Sequence, residues 1–204
     1  MNSGTIAFSP DDEKKQPLSP IRIAGPGFEG WALSAHLDKL TARSGASLTR
    51  RSAFAETMYR YRYQGDCSLL PVLAGGFASS AQALFPGRNF SGLVMVPPPI
   101  TRADYGPVVT LVTEISRLTG IPLLQFAVRD IQEFANEPPK RSERNFDFSS
   151  PDAQAVFTGN QVLVIDDIYR SGRSLNQFCS LIKNEGGATE VMALVGTVVE
   201  RIDI

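Results

Sequence analysis

Apolar residues recur at the three- and four-residue spacing of an amphipathic helix in several parts of the chain. Those stretches are residues 52–64, 69–85, 108–119 and 174–185. Between them lie continuous apolar runs of strand length, at residues 93–96, 121–128, 162–165 and 190–199. Apolar strands that alternate with helices are typical of a parallel sheet covered on both faces. The sequence therefore predicts an α/β fold with a central, mostly parallel sheet and helices on both of its faces.

Three regions differ in composition along the chain. Residues 1–20 are rich in charge and proline and are predicted to form a flexible leader. Residues 21–50 begin with a short strand-like run, IRIA, which a glycine-rich stretch follows, and they end with basic residues. They are interpreted as a small N-terminal cap, or hood, of irregular or hairpin-like structure. Residues 51–204 carry the alternating helices and strands and are predicted to form the α/β domain.

Composition limits the classes of function. The chain has 204 residues, enough for one compact domain, and its 20 basic and 21 acidic side chains leave no strong overall field. The cysteines Cys67 and Cys179 are far apart, and His36 is the only histidine. A zinc site of cysteines and histidines and any histidine-based triad are therefore excluded. No secretory leader or membrane-spanning run is found, so the protein is expected in the cytoplasm.

One short segment combines groups that bind an anion with carboxylates that bind hydroxyl donors or a cation. Asp166 and Asp167 end an apolar strand, and a polar loop that contains Gly172 leads into a helix. Ser174 is the predicted N-cap, so the loop would present free backbone N–H groups and a helix N-terminus, which bind phosphate. Ser171 adds a hydroxyl donor, and the glycine lets the backbone approach the anion closely.

Two carboxylates would repel a bare phosphate, so their position beside the loop needs a reason. They fit a ligand that also carries vicinal hydroxyls or a divalent cation, because carboxylates accept hydroxyl protons and ligate Mg²⁺. A ribose 5-phosphate with Mg²⁺ as the cofactor satisfies both halves of the segment. The alternative without a function is an ordinary turn that joins a strand to a serine-capped helix.

The segment VLVIDDIYRSGRSL, residues 162–175, resembles the phosphoribosyl pyrophosphate (PRPP) binding motif of type I phosphoribosyltransferases. Three further segments are similar to parts of the ComF-like branch of that family, namely MYRYRYQGD, LVMVPPPITR and PPKRSERNFDF. These matches occur in order over roughly residues 28–200. By this resemblance the chain is identified as a ComF-like member of the phosphoribosyltransferase family.

The resemblance implies roles for individual residues. Asp166 and Asp167 would be the catalytic pair that holds the ribose hydroxyls and the magnesium ion. The substrate-binding loop that follows would comprise Ile168, Tyr169, Arg170, Ser171, Gly172, Arg173 and Ser174. Pyrophosphate would bind at Pro98, Pro99 and Arg102. A mobile loop would bring a cation to the leaving group, from Lys140, Arg141 or Arg144.

The activity implied by the resemblance is transfer of the phosphoribosyl group with release of pyrophosphate. This chain departs from the family in places that bear on turnover. Arg170 and Ser171 stand where many members have two threonines, Arg173 follows the glycine, and prolines at 97–99 remove three N–H donors. The cysteine-rich zinc module of many ComF-like proteins is missing. The alternative is a non-catalytic ComF-like protein that senses PRPP or a nucleotide, or binds single-stranded DNA in DNA uptake or processing.

The predicted partner is accordingly a small phosphorylated sugar, PRPP or a nucleotide. Single-stranded DNA is the less favoured partner, no membrane is expected, and a homodimer is the assembly left open. The run YRYRY, residues 59–63, is interpreted as part of a packing helix rather than as a nucleic-acid surface. Residues two apart on a helix point to different sides, so these five cannot form a single platform.

The motif GPGFEG, residues 25–30, matches the glycine pattern of dinucleotide-binding proteins. Such a site also needs an acidic residue about 20 positions later, whereas residues 39–55 contain no Asp or Glu. Pro26 also removes an N–H group from the loop. A tight turn is therefore the preferred interpretation of these glycines.

Overall fold

The computed structural model of the chain describes residues 7–8, 16–41, 47–97, 106–124, 129–130, 146–147 and 151–199. The strands are β1 (Ala7–Phe8), β2 (Gln16–Pro17), β3 (Ile21–Gly25), β4 (Phe28–Ala35), β5 (Leu37–Thr41), β6 (Ser47–Arg51), β7 (Gly92–Met95), β8 (Arg129–Asp130), β9 (Phe146–Asp147), β10 (Gln161–Tyr169) and β11 (Glu190–Val198). The helices are α1 (Ala53–Tyr63), α2 (Leu70–Leu84), α3 (Gly106–Thr119), α4 (Pro151–Phe157) and α5 (Arg173–Asn184). A short 3-10 helix, Cys67–Leu69, precedes α2.

Five of the strands form the central sheet, in the order β3-β4-β11-β10-β7. The last four of these are parallel, and β3 is antiparallel at one edge. At the other edge Leu93 of β7 pairs in parallel with Leu123, and the Leu93 N–H donates to the Pro122 carbonyl at 2.8 Å. Of the strand predicted at 121–128, the described residues 121–124 show this isolated bridge and no strand, and residues 125–128 lie outside the described part of the chain.

Side chains alternate across β10 and divide the core into two layers. Leu163 and Ile165 pack with α1, α2 and α3 on one face of the sheet. Val162 and Val164 pack with α5 and with Phe157 of α4 on the other face. The predicted mostly parallel sheet with helices on both faces is confirmed.

Local signals set the ends of the helices. α1 begins after Ser52, whose Oγ accepts a hydrogen bond from the Ala55 N–H at 3.2 Å, and it ends shortly before Gly65, where φ is 72°. Gly120, also with a φ of 72°, follows the end of α3. The helices predicted in the first three amphipathic stretches are confirmed, because they correspond to α1, α2 and α3.

One apolar stretch contradicts the expectation that no run is long and apolar enough to span a membrane. Cys67–Leu84, which covers the 3-10 helix and α2, is long and apolar enough by length and composition to do so. In the structure 44% of this stretch is buried, and Leu73, Ala74 and Phe77 lie in the core beside the sheet. These side chains make α2 one of the helices that cover the sheet.

The region predicted as a cap, residues 21–50, divides between two structures. β3 and β4 form a hairpin inside the central sheet, with β4 beside β11, whereas β5 and β6 form a separate antiparallel pair. The GPGFEG motif supplies the turn of the first hairpin, where Gly27 has a φ of 84° and the Pro26 carbonyl accepts a hydrogen bond from Ser180 of α5. A Cβ at Gly30 would lie 2.8 Å from the carbonyl carbon of Ala193 in β11. The tight-turn interpretation of these glycines is confirmed.

Candidate functional site

The strand that carries the two aspartates is longer than its apolar run predicts. β10 continues through Asp166 and Asp167, and Ile168 pairs with Thr197 of β11. The carbonyl of Tyr169 still accepts a hydrogen bond, from the Val199 N–H at 2.8 Å. Ile168 and Tyr169 are therefore strand residues rather than loop residues, because β11 provides backbone partners to the end of the strand.

The two aspartates face opposite sides of the sheet, as neighbours on a strand do. Asp167 forms an ion pair with Arg62 of α1, and the two side chains are only 16% and 12% exposed. Asp166 lies on the α5 side, where its charge adds to the effect of burial in raising the pKa of the Cys179 thiol. One oxygen of Asp166 accepts the backbone N–H of Asp167 at 2.9 Å. The adjacent carboxylates thus have different surroundings.

Both aspartates nevertheless line one cavity of about 270 Å³, which we call the cradle cavity. Its wall includes the whole segment from Asp166 to Ser174, which is every residue of the predicted strand-end and loop site. Arg62 and Tyr63 of α1 close it from one side. The structure therefore brings these predicted residues together, whereas Pro98, Pro99, Arg102, Lys140, Arg141 and Arg144 lie outside the described residues.

Gly172 shapes the loop between β10 and α5. Its φ is 72°, in the left-handed region that favours glycine, and it is the N-cap of α5. The predicted N-cap, Ser174, lies instead in the first turn of the helix, because the chain has already turned at the glycine. A Cβ at Gly172 would lie 2.6 Å from Cζ of Tyr169. The helix α5 therefore begins at a backbone position, Gly172, that strongly favours glycine.

The charges around the cradle cavity are mixed. Arg170 and Arg173 are exposed, and neither forms an ion pair with another residue that the structure describes. Together with the helix N-terminus they favour an anion on the loop side. Carboxylates at the strand end favour hydroxyl groups or a cation on the other side. The cavity can therefore hold a ligand with an anionic end and a hydroxyl-bearing end.

The donor set fits a weakly held Mg²⁺ better than a metal enclosed by protein. Within the described ranges no cluster of three or more His, Cys, Asp or Glu side chains is present. Asp166 and Asp167 are the two carboxylates that line the cradle cavity. Mg²⁺ is usually held by one or two carboxylates together with substrate oxygens and water, and the chemistry of this pair fits such a site.

A second cavity, of about 300 Å³, was not predicted. We call it the α1 cavity, and its lining residues are His36, Arg51, Ala55, Met58, Tyr59, Arg62, Tyr63, Asp167, Ile168, Arg170 and Thr197. It shares five residues with the cradle cavity, namely Arg62, Tyr63, Asp167, Ile168 and Arg170. The segment MYRYRYQGD, which begins in α1, resembles a family segment. No local pattern in it predicts that Arg62 pairs with Asp167.

The α1 residues of the YRYRY run have separate environments. Tyr61 is buried and its hydroxyl donates to the Pro107 carbonyl at 2.7 Å. Arg60 pairs with Asp66 at 2.6 Å, while Tyr63 is 60% exposed. The interpretation of this run as part of a packing helix is confirmed, since Tyr61 lies in the core and the five residues do not form a single platform, although Tyr59, Arg62 and Tyr63 together line the α1 cavity.

Comparison with known proteins identifies one curated relative. The chain is 23% identical over 160 residues to competence protein ComFC of Bacillus subtilis (strain 168), a match that covers 76% of this chain and 64% of ComFC. The match therefore spans less than two thirds of the length of that protein. It confirms the resemblance to ComF-like proteins. No protein-family model matches the sequence.

The chain is also similar in fold to solved phosphoribosyltransferases. Adenine phosphoribosyltransferase from Saccharomyces cerevisiae has a TM-score of 0.49 and 15% identity, covering 80% of this chain and 85% of that one. Orotate phosphoribosyltransferase from Aeropyrum pernix has a TM-score of 0.39 and 17% identity, covering 78% and 74%. At such identities the likeness concerns the fold alone.

Proposed function

We propose that this chain, a ComF-like protein with a phosphoribosyltransferase-type fold, binds PRPP with Mg²⁺ and transfers its phosphoribosyl group with release of pyrophosphate. The observation that carries the proposal is the cradle cavity. There, one segment, from Asp166 to Ser174, places two carboxylates and a glycine-capped helix N-terminus around a shared space. A ribose 5-phosphate presents the matching groups, namely hydroxyl donors and an anion.

The loop and the first turn of α5 would bind the 5-phosphate. Gly172 leaves the backbone accessible, and Ser171 and Ser174 line the same cavity with hydroxyl donors. Arg170 and Arg173 add positive charge at the exposed rim. The 5-phosphate would therefore fix the position of the sugar before any reaction occurs.

The carboxylates would bind the hydroxyl side of the ribose. Asp166 and Asp167 both line the cradle cavity, and Asp167 is also paired with Arg62. A ribose hydroxyl that donates to Asp167 would share that carboxylate with Arg62, since each carboxylate has two oxygens that accept hydrogen bonds. Bound Mg²⁺ would neutralise negative charge on pyrophosphate, with the two aspartates as its protein ligands.

The proposed reaction breaks the bond between the anomeric carbon and a pyrophosphate oxygen. The electron pair leaves with pyrophosphate, and the anomeric carbon forms a new bond to a nucleophilic atom of the acceptor. Because the sugar is cation-like between these events, the reaction depends on charge placement and exclusion of water more than on a protein nucleophile. Asp166 and Asp167 would place negative charge beside the sugar.

Pyrophosphate release tests this function. We expect release from PRPP and Mg²⁺ in a mixture of purine and pyrimidine bases, and we expect Asp166→Asn to slow it roughly 10- to 100-fold by removing a charged hydrogen-bond acceptor. Asp38→Asn is the matched control, because Asp38 lies on β5 and is outside the cradle cavity. No release from the wild-type protein with any base contradicts transfer.

The second candidate is a non-catalytic sensor of PRPP or a nucleotide, favoured by the exposed Arg170 and Arg173 at the rim of the cavity. Stabilisation of the protein against heat by PRPP, without pyrophosphate release, would select this candidate. Absence of both stabilisation and release would contradict PRPP binding altogether.

Single-stranded DNA is a further partner to test, because the relative ComFC is named a competence protein. Binding through phosphates would weaken steeply with added salt. Arg60→Ala and Arg62→Ala should also weaken such binding, because each removes a positive charge from α1, and the pair of Arg60 with Asp66 is exposed enough to exchange for a phosphate at little cost. No binding to a single-stranded oligonucleotide at low salt would eliminate this partner.

A further inference from the structure

The α1 cavity has an apolar and aromatic wall formed by one helix. Ala55, Met58 and Tyr59 line it from α1, and Ile168 lines it from the end of β10. The rings of Tyr59 and Tyr63 lie 5.4 Å apart at their centroids. A wall of this kind favours a flat, apolar ligand surface, and a volume of about 300 Å³ suits a small molecule.

The same cavity carries an excess of positive charge. Its lining has three arginines, Arg51, Arg62 and Arg170, and a single carboxylate, Asp167. Arg51 stacks 3.8 Å from the centroid of the Tyr59 ring and contacts Glu56 at 3.0 Å. Arg62 is paired with Asp167, whereas Arg170 has no ion-pair partner in the described part of the chain. Arg170 is thus available to an anion, and Arg51 can add a second contact, because its exposed pair with Glu56 does not use all five guanidinium N–H donors.

His36 lies where these charges converge. Its Nδ1 is 3.1 Å from the hydroxyl of Thr197, on the neighbouring β11. Burial lowers the pKa of His36, and the charges of Arg170 and Arg51 lower it further. The imidazole is therefore neutral at neutral pH, and it adds a polar group beside the arginines without adding charge.

We propose that the α1 cavity binds a planar aromatic heterocycle that carries a negative charge, such as a carboxylate. Tyr59 and Met58 would contact the ring, and Arg170 and Arg51 would bind the anionic group, which guanidinium groups do well. A neutral heterocycle would find the apolar wall but leave the excess positive charge without a partner.

The position of this cavity gives its ligand a role that rests on the function proposed above. Arg62, Asp167 and Ile168 line both cavities, so a ligand in the α1 cavity lies beside a sugar held in the cradle cavity. That is the place for the acceptor of the phosphoribosyl group. The acceptor would then be an anionic heterocycle rather than a neutral base.

The test uses His36 as an internal reporter, because it is the only histidine in the chain. The protein is prepared without a histidine tag, and the imidazole resonances are followed by NMR. Two matched pairs of probes are titrated, nicotinate with nicotinamide and orotate with uracil, whose members differ mainly in a charged group. We expect the charged members to shift the His36 resonances and to raise its pKa, since nearby negative charge favours the imidazolium form.

A charge variant separates the cavity from general surface binding. Arg51→Gln should weaken the binding of the charged probes roughly tenfold, because it removes a charged hydrogen-bond donor. Arg60→Gln is the matched control, because it also breaks an ion pair between an exposed arginine and a carboxylate. Arg60 does not line the α1 cavity, so its replacement should leave the affinity for the charged probes unchanged. The far-ultraviolet circular dichroism of both variants checks that they are folded.

Several results would overturn the proposal. These are equal binding of the charged and neutral members of a pair, no binding of any probe, or unchanged affinity in Arg51→Gln. PRPP binding is measured separately by thermal stabilisation. If charged probes bind but PRPP does not, the acceptor role and the proposed function fall while the ligand class stands. If PRPP binds but the pairs are not distinguished, only the present inference falls.

Discussion

The two cavities differ in how the chain builds them. The cradle cavity is formed mainly by one continuous segment, from Asp166 to Ser174, whereas the α1 cavity draws on β6, α1, the residue between β4 and β5, and the ends of β10 and β11. Most residues of the cradle cavity are therefore neighbours in the sequence. The second exists only once distant segments have packed together.

The cavities also differ in the groups that they offer a ligand. The cradle cavity depends on backbone geometry at Gly172 and on the N-terminus of α5, while the α1 cavity depends on arginine and aromatic side chains. A change in backbone conformation should therefore affect the first, and a change in charge should affect the second. Asp167, which lines both, couples them.

The largest expected effect comes from Gly172→Ala. An alanine with a left-handed φ costs about 1–2 kcal/mol, and its Cβ would also collide with the ring of Tyr169. Displacement of the loop should weaken PRPP binding roughly 100-fold by removing charged hydrogen bonds, and should weaken nicotinate binding in the α1 cavity much less, because Arg170 is the one residue of the loop 170–172 that lines that cavity. Calorimetric titration of each ligand measures both effects.

Gly87→Ala is the control for that substitution. Gly87 also has a positive φ, of 74°, but a Cβ there would meet no atom within 4 Å. It should lower stability by a similar conformational cost while PRPP affinity stays the same. Equal loss of PRPP affinity in both variants would mean that general destabilisation, not the cradle, causes the loss.

A smaller effect, on stability, is expected from Asp167→Asn. It leaves Arg62, which is only 12% exposed, without its counter-charge, so we expect a loss of about 2 kcal/mol in the free energy of unfolding. Glu29→Gln breaks the Arg22–Glu29 pair, whose side chains are 66% and 61% exposed, and should cost less than about 0.5 kcal/mol. Urea unfolding measures the loss in each variant. Equal losses would mean that the Arg62–Asp167 pair stabilises the protein no more than the exposed Arg22–Glu29 pair.

The smallest effect is the contribution of His36 to the pH dependence of stability. Its pKa is lowered in the folded protein, so below the unfolded value of 6.5 the unfolded chain takes up the proton first. The contribution is therefore complete above that pH and is lost as pH falls towards the folded pKa. The urea midpoint of the wild type should therefore fall more between about pH 7.5 and about pH 5.5 than that of His36→Gln, and an equal fall in both would mean that this histidine contributes nothing.

The sequence predicts the parts of the fold whose signals are local. The apolar spacing of α3 and the serine and glycine at the ends of α1 are enough to place both helices, because each signal lies within the element that it controls. The same holds for the cradle, whose carboxylates and glycine follow one another along the chain. The helix α4 was not predicted, since its seven residues follow a polar segment without a clear repeat.

The missed features depend on partners that are distant in the sequence. β4 follows a glycine-rich turn and contains Gly30, which is typical of a loop until Ala193 of β11 is placed against it. The extension of β10 through two aspartates requires the pairing of Ile168 with Thr197. The Arg62–Asp167 pair likewise joins positions more than 100 residues apart. Such pairs follow from the topology, not from any local pattern.

The strand order has a consequence for how the protein is synthesised. β11 is the last of the described strands in chain order, yet it lies between β4 and β10 in the middle of the sheet. Before residues 190–198 are synthesised, β4 and β10 each lack the strand that pairs with one of their edges. The central sheet therefore becomes continuous only when β11 is available, and this one strand covers both edges at once.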